Sequence, residues 1–136
     1  LNTVLRISKI ICPNDSLLIS WKDALKKKKK IFAFNDLRIA PTSVFSVAAF
    51  IKKWYKYNFN GIFHLSPSRD ISYFQFAEKL ALYMLADKSL IKSESLVNSK
   101  KKIIYKPFKS YLGCNSPHSM RLEIDYEIEK IFKTLI

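Results

Sequence analysis

Residues 38–80 read RIAPTSVFSVAAFIKKWYKYNFNGIFHLSPSRDISYFQFAEKL, and this stretch decides the fold class. Pro41-Thr42 predicts the opening of a helix, because proline is tolerated in a first turn and Val44, Val47, Ala48 and Ile51 then recur at helical spacing on one face. The pattern fades at Asn58 to Asn60, and Gly61 leads into Ile62, Phe63, His64 and Leu65, which read as a short buried strand. Ser72 then stands at the N-cap of a second helix whose apolar stripe is Phe74, Ala77, Leu80 and Ala81. Helix, buried strand and helix in this order predict an α/β domain of short strands and three to four helices.

Working outward, Val4 to Pro13 reads as a strand, and a Leu- and Trp-rich helix is expected over residues 15–29. Residues 31–36, IFAFND, read as a second short strand and a turn, and near the other end stand Lys106-Pro107 with Ser110, Leu112 and Cys114. Taken in order, these segments resemble the C-terminal half of the extended short-chain dehydrogenases, within them the dTDP-4-dehydrorhamnose reductase branch. The likeness runs over roughly residues 3–114 and rests on the order of five weak motifs. It implies that residues 1–136 form a single substrate-binding lobe of a Rossmann-type nucleotide-sugar reductase or epimerase. The implied partners are a dTDP- or UDP-linked sugar and an N-terminal Rossmann half. Two departures, Cys12 where glycine is usual and Ser46 where aspartate is common, open a second reading as a regulatory or remnant domain without turnover.

A dinucleotide fingerprint or a phosphate-cradling loop needs closely spaced glycines. The chain has two, Gly61 and Gly113, far apart. In the family the cofactor site and the catalytic Tyr-x-x-x-Lys precede the strand that corresponds to residues 4–13. The resemblance therefore implies NAD(P) for a full-length protein and no cofactor site or catalytic residue in this chain, which is expected to be a fragment or a truncated product. Two Tyr-x-x-x-Lys matches do occur. Tyr105 and Lys109 enclose Pro107, which breaks the required helical turn. Tyr126 and Lys130 fall on an expected helix over residues 125–135, after the substrate half, and read as a chance surface pair.

The 136 residues suffice for one domain, and an apolar content of 49% excludes disorder. There is no apolar run long enough to span a bilayer, and Arg6, Lys9 and Pro13 interrupt anything like a signal peptide. Cys12 and Cys114 show no paired spacing and His64 and His118 make no metal box, so cytoplasmic residence is the expectation. A net charge of +13 supports a rival reading, a basic nucleic-acid-binding module using residues 26–30, Lys52, Lys53, Lys56 and residues 100–102 with Trp54, Tyr55 and Tyr57. The duller account is that cations gather at helix C-termini and in a loop, and that AT-biased coding enriches lysine.

Four residues are candidates for substrate binding. Arg6 matches a family arginine and is either a ligand contact or half of a structural ion pair. Arg38 resembles a family arginine near the sugar-nucleotide pocket, where a guanidinium grips a diphosphate bidentately; its alternative is an exposed turn residue. Asn14 and Trp21, with Ser16 and Lys22, lie in the segment that shapes the pocket in relatives, although Trp21 also suits the core beside Leu17, Leu18 and Leu25. His64 alternates with Phe63 and Leu65, which favours a buried, hydrogen-bonded histidine over a catalytic one.

Overall fold

The computed structural model describes residues 2–58, 60–98, 109–113 and 120–135. These residues form a mixed α/β fold with four α-helices and mostly parallel strand pairs. The expectations for Lys106-Pro107, Tyr105, Cys114, His118 and residues 100–102 fall outside the described residues.

Strand β1 (Thr3–Ile7) lies parallel to β6 (Gly61–Pro67), with Arg6 opposite His64, and β6 continues parallel to β9 (Met120–Leu122). Gly61 begins β6 at φ +113°, a conformation that only glycine adopts at low cost. Strand β2 (Lys9–Ile11) pairs in parallel with β5 (Pro41–Ser43), and β3 (Ile31–Phe34) with β8 (Ile91–Glu94). The short β4 (Arg38–Ile39) and β7 (Ile71–Ser72) pair antiparallel.

Helix α1 (Ser16–Lys26) starts at Asp15, whose carboxylate accepts from the amides of Leu17 and Leu18. It ends earlier than the sequence predicts. Lys28 turns to φ 52°, and the amides of Lys28 and Lys29 reach back to the carbonyls of Leu25 and Ala24, so residues 27–30 form a left-handed terminating turn. Helix α2 (Val44–Tyr57) begins three residues after Pro41, because residues 41–43 are held in β5; Ser43 is its N-cap and left-handed Asn58 its C-cap. Its buried face is Ser46, Val47 and Phe50, while Ala48 and Ile51 point outward. Helix α3 (Tyr73–Tyr83) starts as predicted at Ser72, in a capping box closed by Gln75. Its deepest aromatic is Phe76, with Phe74 half-buried. Helix α4 (Ile124–Lys133) places Ile124, Ile128, Ile131 and Phe132 inward.

The apolar interior has two parts. The larger gathers α1, α3, α4, β3 and β8 around Trp21, Phe76 and Phe132; Phe76 stacks on Phe132 at 5.4 Å between ring centroids. The smaller lies between α2 and the β1–β6–β9 sheet and consists of Val47, Phe50, Phe63 and Leu65, with Leu5, Ile7, Trp54 and Leu122 half-buried around it.

Candidate functional site

In open α/β sheets ligands gather beyond the carboxyl ends of the parallel strands. Here β1 and β6 end in a seam of polar groups. At the end of β1 the hydroxyls of Ser8 and Thr42 lie 2.8 Å apart. At the end of β6 the buried Ser66 hydroxyl accepts from the Leu112 amide at 3.0 Å, and His64 Nδ1 donates to the Gly113 carbonyl at 2.6 Å. Just beyond, Asp70 accepts from Arg38 Nε at 2.6 Å and from the Ser110 amide at 2.8 Å. Residues 110–113 are thus strapped to β6 and its following loop at three points, by Asp70, Ser66 and His64.

Arg38 holds Asp70 with two donors, since a terminal guanidinium nitrogen also reaches the Asp70 carbonyl at 2.9 Å. The Asp70 side chain is nearly buried, 7% exposed, and that of Arg38 is 38% exposed. Two donors grip one residue, as they would a diphosphate, but what they hold is a carboxylate oxygen and the backbone carbonyl of Asp70. Its charge largely cancels that of Arg38. Arg6 stands differently. It is exposed on the sheet face opposite α2, beside His64, and makes no ion pair among the described residues. Asn14 is exposed in the turn before α1. Trp21 is buried, with its ring edge-on to Phe76 at 6.4 Å, so its indole fills the core. The four candidates fall on four separate parts of the fold. Lys22, also in that segment, donates to the Leu135 carbonyl at 2.8 Å.

A cavity of about 160 Å³ opens where β2 meets the start of α1, lined by Lys9, Asp15, Ser16, Ile39 and Tyr73 among others. Burial, and secondarily the Asp15 carboxylate, push the Tyr73 phenol above its ordinary pKa, so it stays a neutral hydrogen-bond donor. A larger hollow of about 400 Å³ lies between the C-terminal turns of α1 and α3 and contains none of the candidate residues.

A second polar group escaped the sequence reading. Glu127, on α4, is fully buried and accepts from the Ser43 amide (2.8 Å), the Ser46 hydroxyl (2.7 Å) and Lys130 Nζ (3.0 Å). Lys130 also donates to Ser46 and lies 4.3 Å above the Tyr126 ring. Tyr126 is exposed, as a surface pair requires, but Lys130 is a working member of an internal network. Ser46 both donates to Glu127 and accepts from Lys130, so its hydroxyl is engaged within the chain. The signal available in the sequence was an acidic residue at the centre of α4's apolar face, between Ile124, Ile128 and Ile131.

Among the lysines of the rival reading, residues 26–30 and Lys52, Lys53 and Lys56 are all exposed. Tyr55 is exposed as well, not packed, whereas Trp54 is half-buried and donates from Nε1 to Thr3 Oγ1 at 3.2 Å. Among the described residues no group of three or more His, Cys, Asp or Glu side chains is placed to hold a metal ion, and no helix is long and apolar enough to cross a membrane.

Among solved structures the chain is similar to a dTDP-4-dehydrorhamnose reductase from Bacillus anthracis str. Ames, determined in complex with NADP. The TM-score is 0.69 at 16% identity, over 96% of this chain and 48% of that one. It is similar also to the dTDP-4-dehydrorhamnose reductase of Yersinia enterocolitica (TM-score 0.64, 15% identity, 98% and 50% of the two chains). A hypothetical dTDP-4-dehydrorhamnose reductase from Sulfolobus tokodaii matches with a TM-score of 0.65 at 23% identity, over 90% and 45%. The fold is therefore that of these enzymes, and the chain spans about half their length. No protein-family model and no curated protein sequence matches it.

Proposed function

We propose that this chain is the nucleotide-sugar-binding half of an NAD(P)-dependent reductase or epimerase of the dTDP-4-dehydrorhamnose reductase type. The observation that carries this reading is the likeness to those enzymes over 96% of the chain. On this reading Arg6 meets the diphosphate. It is an exposed cation on β1 without a carboxylate partner among the described residues, whereas Arg38 acts indirectly by holding Asp70 and with it the strap at residues 110–113. The hollow beside Tyr73 receives a polar part of the ligand, the phenol donating a hydrogen bond. NAD(P) and the hydride-transfer groups belong to the other half of the enzyme.

Titration calorimetry with dTDP-glucose, UDP-glucose and inorganic phosphate tests this. A nucleotide sugar should bind more tightly than phosphate, and Arg6→Ala should weaken it by about tenfold, the loss of one charge-assisted contact. NADH fluorescence should show no binding to the isolated chain. Equal response to phosphate and to nucleotide sugar would sink the proposal. Tight oligonucleotide binding that collapses with salt would replace it by the basic-module reading.

A further inference from the structure

Helices α1 and α3 pack together through Trp21 and Phe76, and they end in the same way. The Ala86 amide donates to the Ala81 carbonyl as the Lys29 amide does to that of Ala24. Each turn passes through one left-handed residue, Leu85 at φ 54° and Lys28 at φ 52°. Glycine is the usual occupant of such a position, because a side chain there strains the backbone. Here the places are taken by a lysine and by a leucine that is 93% exposed, and both line the hollow of about 400 Å³ between the two helix ends. The floor of that hollow is apolar: Leu25 is buried, and Met84, Ala86 and Leu90 are half-buried against the larger cluster.

The rim is cationic. Residues 23–30 and 84–92 hold seven lysines, Lys26 to Lys30 with Lys88 and Lys92, against Asp23 and Asp87. All seven are exposed. Asp87, the one carboxylate among the described lining residues, is already occupied by the Ser89 amide at 2.8 Å and the Ser89 hydroxyl at 2.6 Å. A helix C-terminus carries only about half a negative elementary charge, so two of them account for a small part of this excess.

The combination of floor and rim selects an occupant. A concave site does not fit a flat bilayer, and among the described lining residues there is no aromatic ring on which a base could stack. A second copy of the chain, at +13, would be repelled. An apolar floor takes large side chains, and a ring of lysines takes carboxylates around them.

We propose that the hollow between the ends of α1 and α3 is a docking site for an acidic amphipathic helix of a partner protein. Apolar side chains one turn apart on that helix enter over Leu25 and Leu90, and its carboxylates meet Lys26, Lys28 and Lys88. Leu85 packs over the entering side chains, which gives a leucine a use at a place where glycine would be less strained. The hollow contains none of the candidate substrate-binding residues, so docking there is independent of nucleotide-sugar binding.

Fluorescence anisotropy with a labelled synthetic peptide of about sixteen residues, long enough to form a helix, is the test. The peptide carries leucines at helical spacing on one face and glutamates and alanines elsewhere; in its control every leucine is replaced by alanine. The leucine peptide should bind, and the control about tenfold more weakly. Leu85→Gly should weaken the leucine peptide by about tenfold while raising the urea midpoint, so the loss cannot come from unfolding. Lys26→Glu with Lys28→Glu should abolish binding, whereas Lys52→Glu with Lys53→Glu, on α2, should leave it unchanged. Equal affinity of the two peptides, equal effects of the two lysine pairs, or no binding of either peptide would each overturn the proposal. Sedimentation with phosphatidylserine vesicles that is lost in Leu85→Gly, in place of peptide binding, would overturn it in favour of a bilayer.

Discussion

Around α3, eighteen described residues bury themselves in one continuous cluster whose members come from three separate stretches, 11–39, 71–91 and 124–135. Around α2 the described apolar cluster has four buried members, Val47, Phe50, Phe63 and Leu65, and the aromatic and aliphatic residues beside them, Trp54 and Leu5, stop half-way. Both layers come from segments of similar apolar content, so the difference does not arise from lack of hydrophobic residues. It arises from coverage. The α3 layer has helices α1 and α4 to close it, whereas among the described residues the β1–β6–β9 sheet has α2 on one face and leaves Val4 and Ile62 about half exposed on the other. One layer is complete in itself and the other ends in a surface built like an interior.

The sharpest test of this contrast compares two phenylalanines. Phe76→Ala should cost about 4 kcal/mol in urea unfolding, because its ring is enclosed between Trp21 and Phe132 and the cavity left has nothing to fill it. Phe50→Ala should cost distinctly less, since one wall of its site is already an open groove. Equal losses would mean that the α2 layer is as closed as the other. Next in size is Glu127→Ala, expected to cost about 3 kcal/mol because it leaves the Ser43 amide, the Ser46 hydroxyl and Lys130 without their acceptor. Glu127→Gln should recover part of that loss, and a neutral outcome for both would show that the layers are not tied together at this point.

A smaller effect should appear at alkaline pH. The Tyr73 phenol is raised by burial and by Asp15, so folding favours its protonated form. That contribution is complete below the ordinary phenol value of about 10 and disappears as pH rises through the folded value. Denaturation midpoints followed into the alkaline range should therefore fall less steeply for Tyr73→Phe than for the parent chain. Leu85, 93% exposed at φ 54° in the turn that ends α3, should yield about 0.5–1 kcal/mol of added stability when replaced by glycine. Smallest of all is Asp125. Its carboxyl is lowered chiefly by the hydrogen bond from Lys79, opposed by modest burial and helped by Arg69. The resulting stability is present above the ordinary aspartate range and lost as pH falls through the lowered value. The side chain is about half exposed, so Asp125→Asn should shift the acid limb by less than about 0.5 kcal/mol.

The elements that could be read from the sequence are those whose signals are local. Ser72 with Gln75 caps α3 where expected, Gly61 begins β6, and Asn58 ends α2. Where a residue's place depends on a distant partner, the reading shifts. Pro41-Thr42 looks like a helix start, yet pairing with β2 draws residues 41–43 into a strand and moves the helix on to Val44. The α2 stripe turns inward through Ser46 because a carboxylate 81 positions later demands it. In the same way Arg38 was legible as a guanidinium suited to a bidentate partner, but not as the partner of Asp70, which a 32-residue separation hides. Glu127 has a local signal, its place on the apolar face of α4, but that signal does not say which distant groups it serves.

Glu127 also sets a timetable for biosynthesis. The Ser43 amide and Ser46 hydroxyl are made well before their buried acceptor, which lies 84 and 81 positions further on. At ordinary translation rates of about 5–20 residues per second, those groups wait several seconds for the 81 positions from Ser46 to Glu127, and the start of α2 cannot settle before α4 has been made. The start of α2 is thus fixed by one long-range step that joins it to α4.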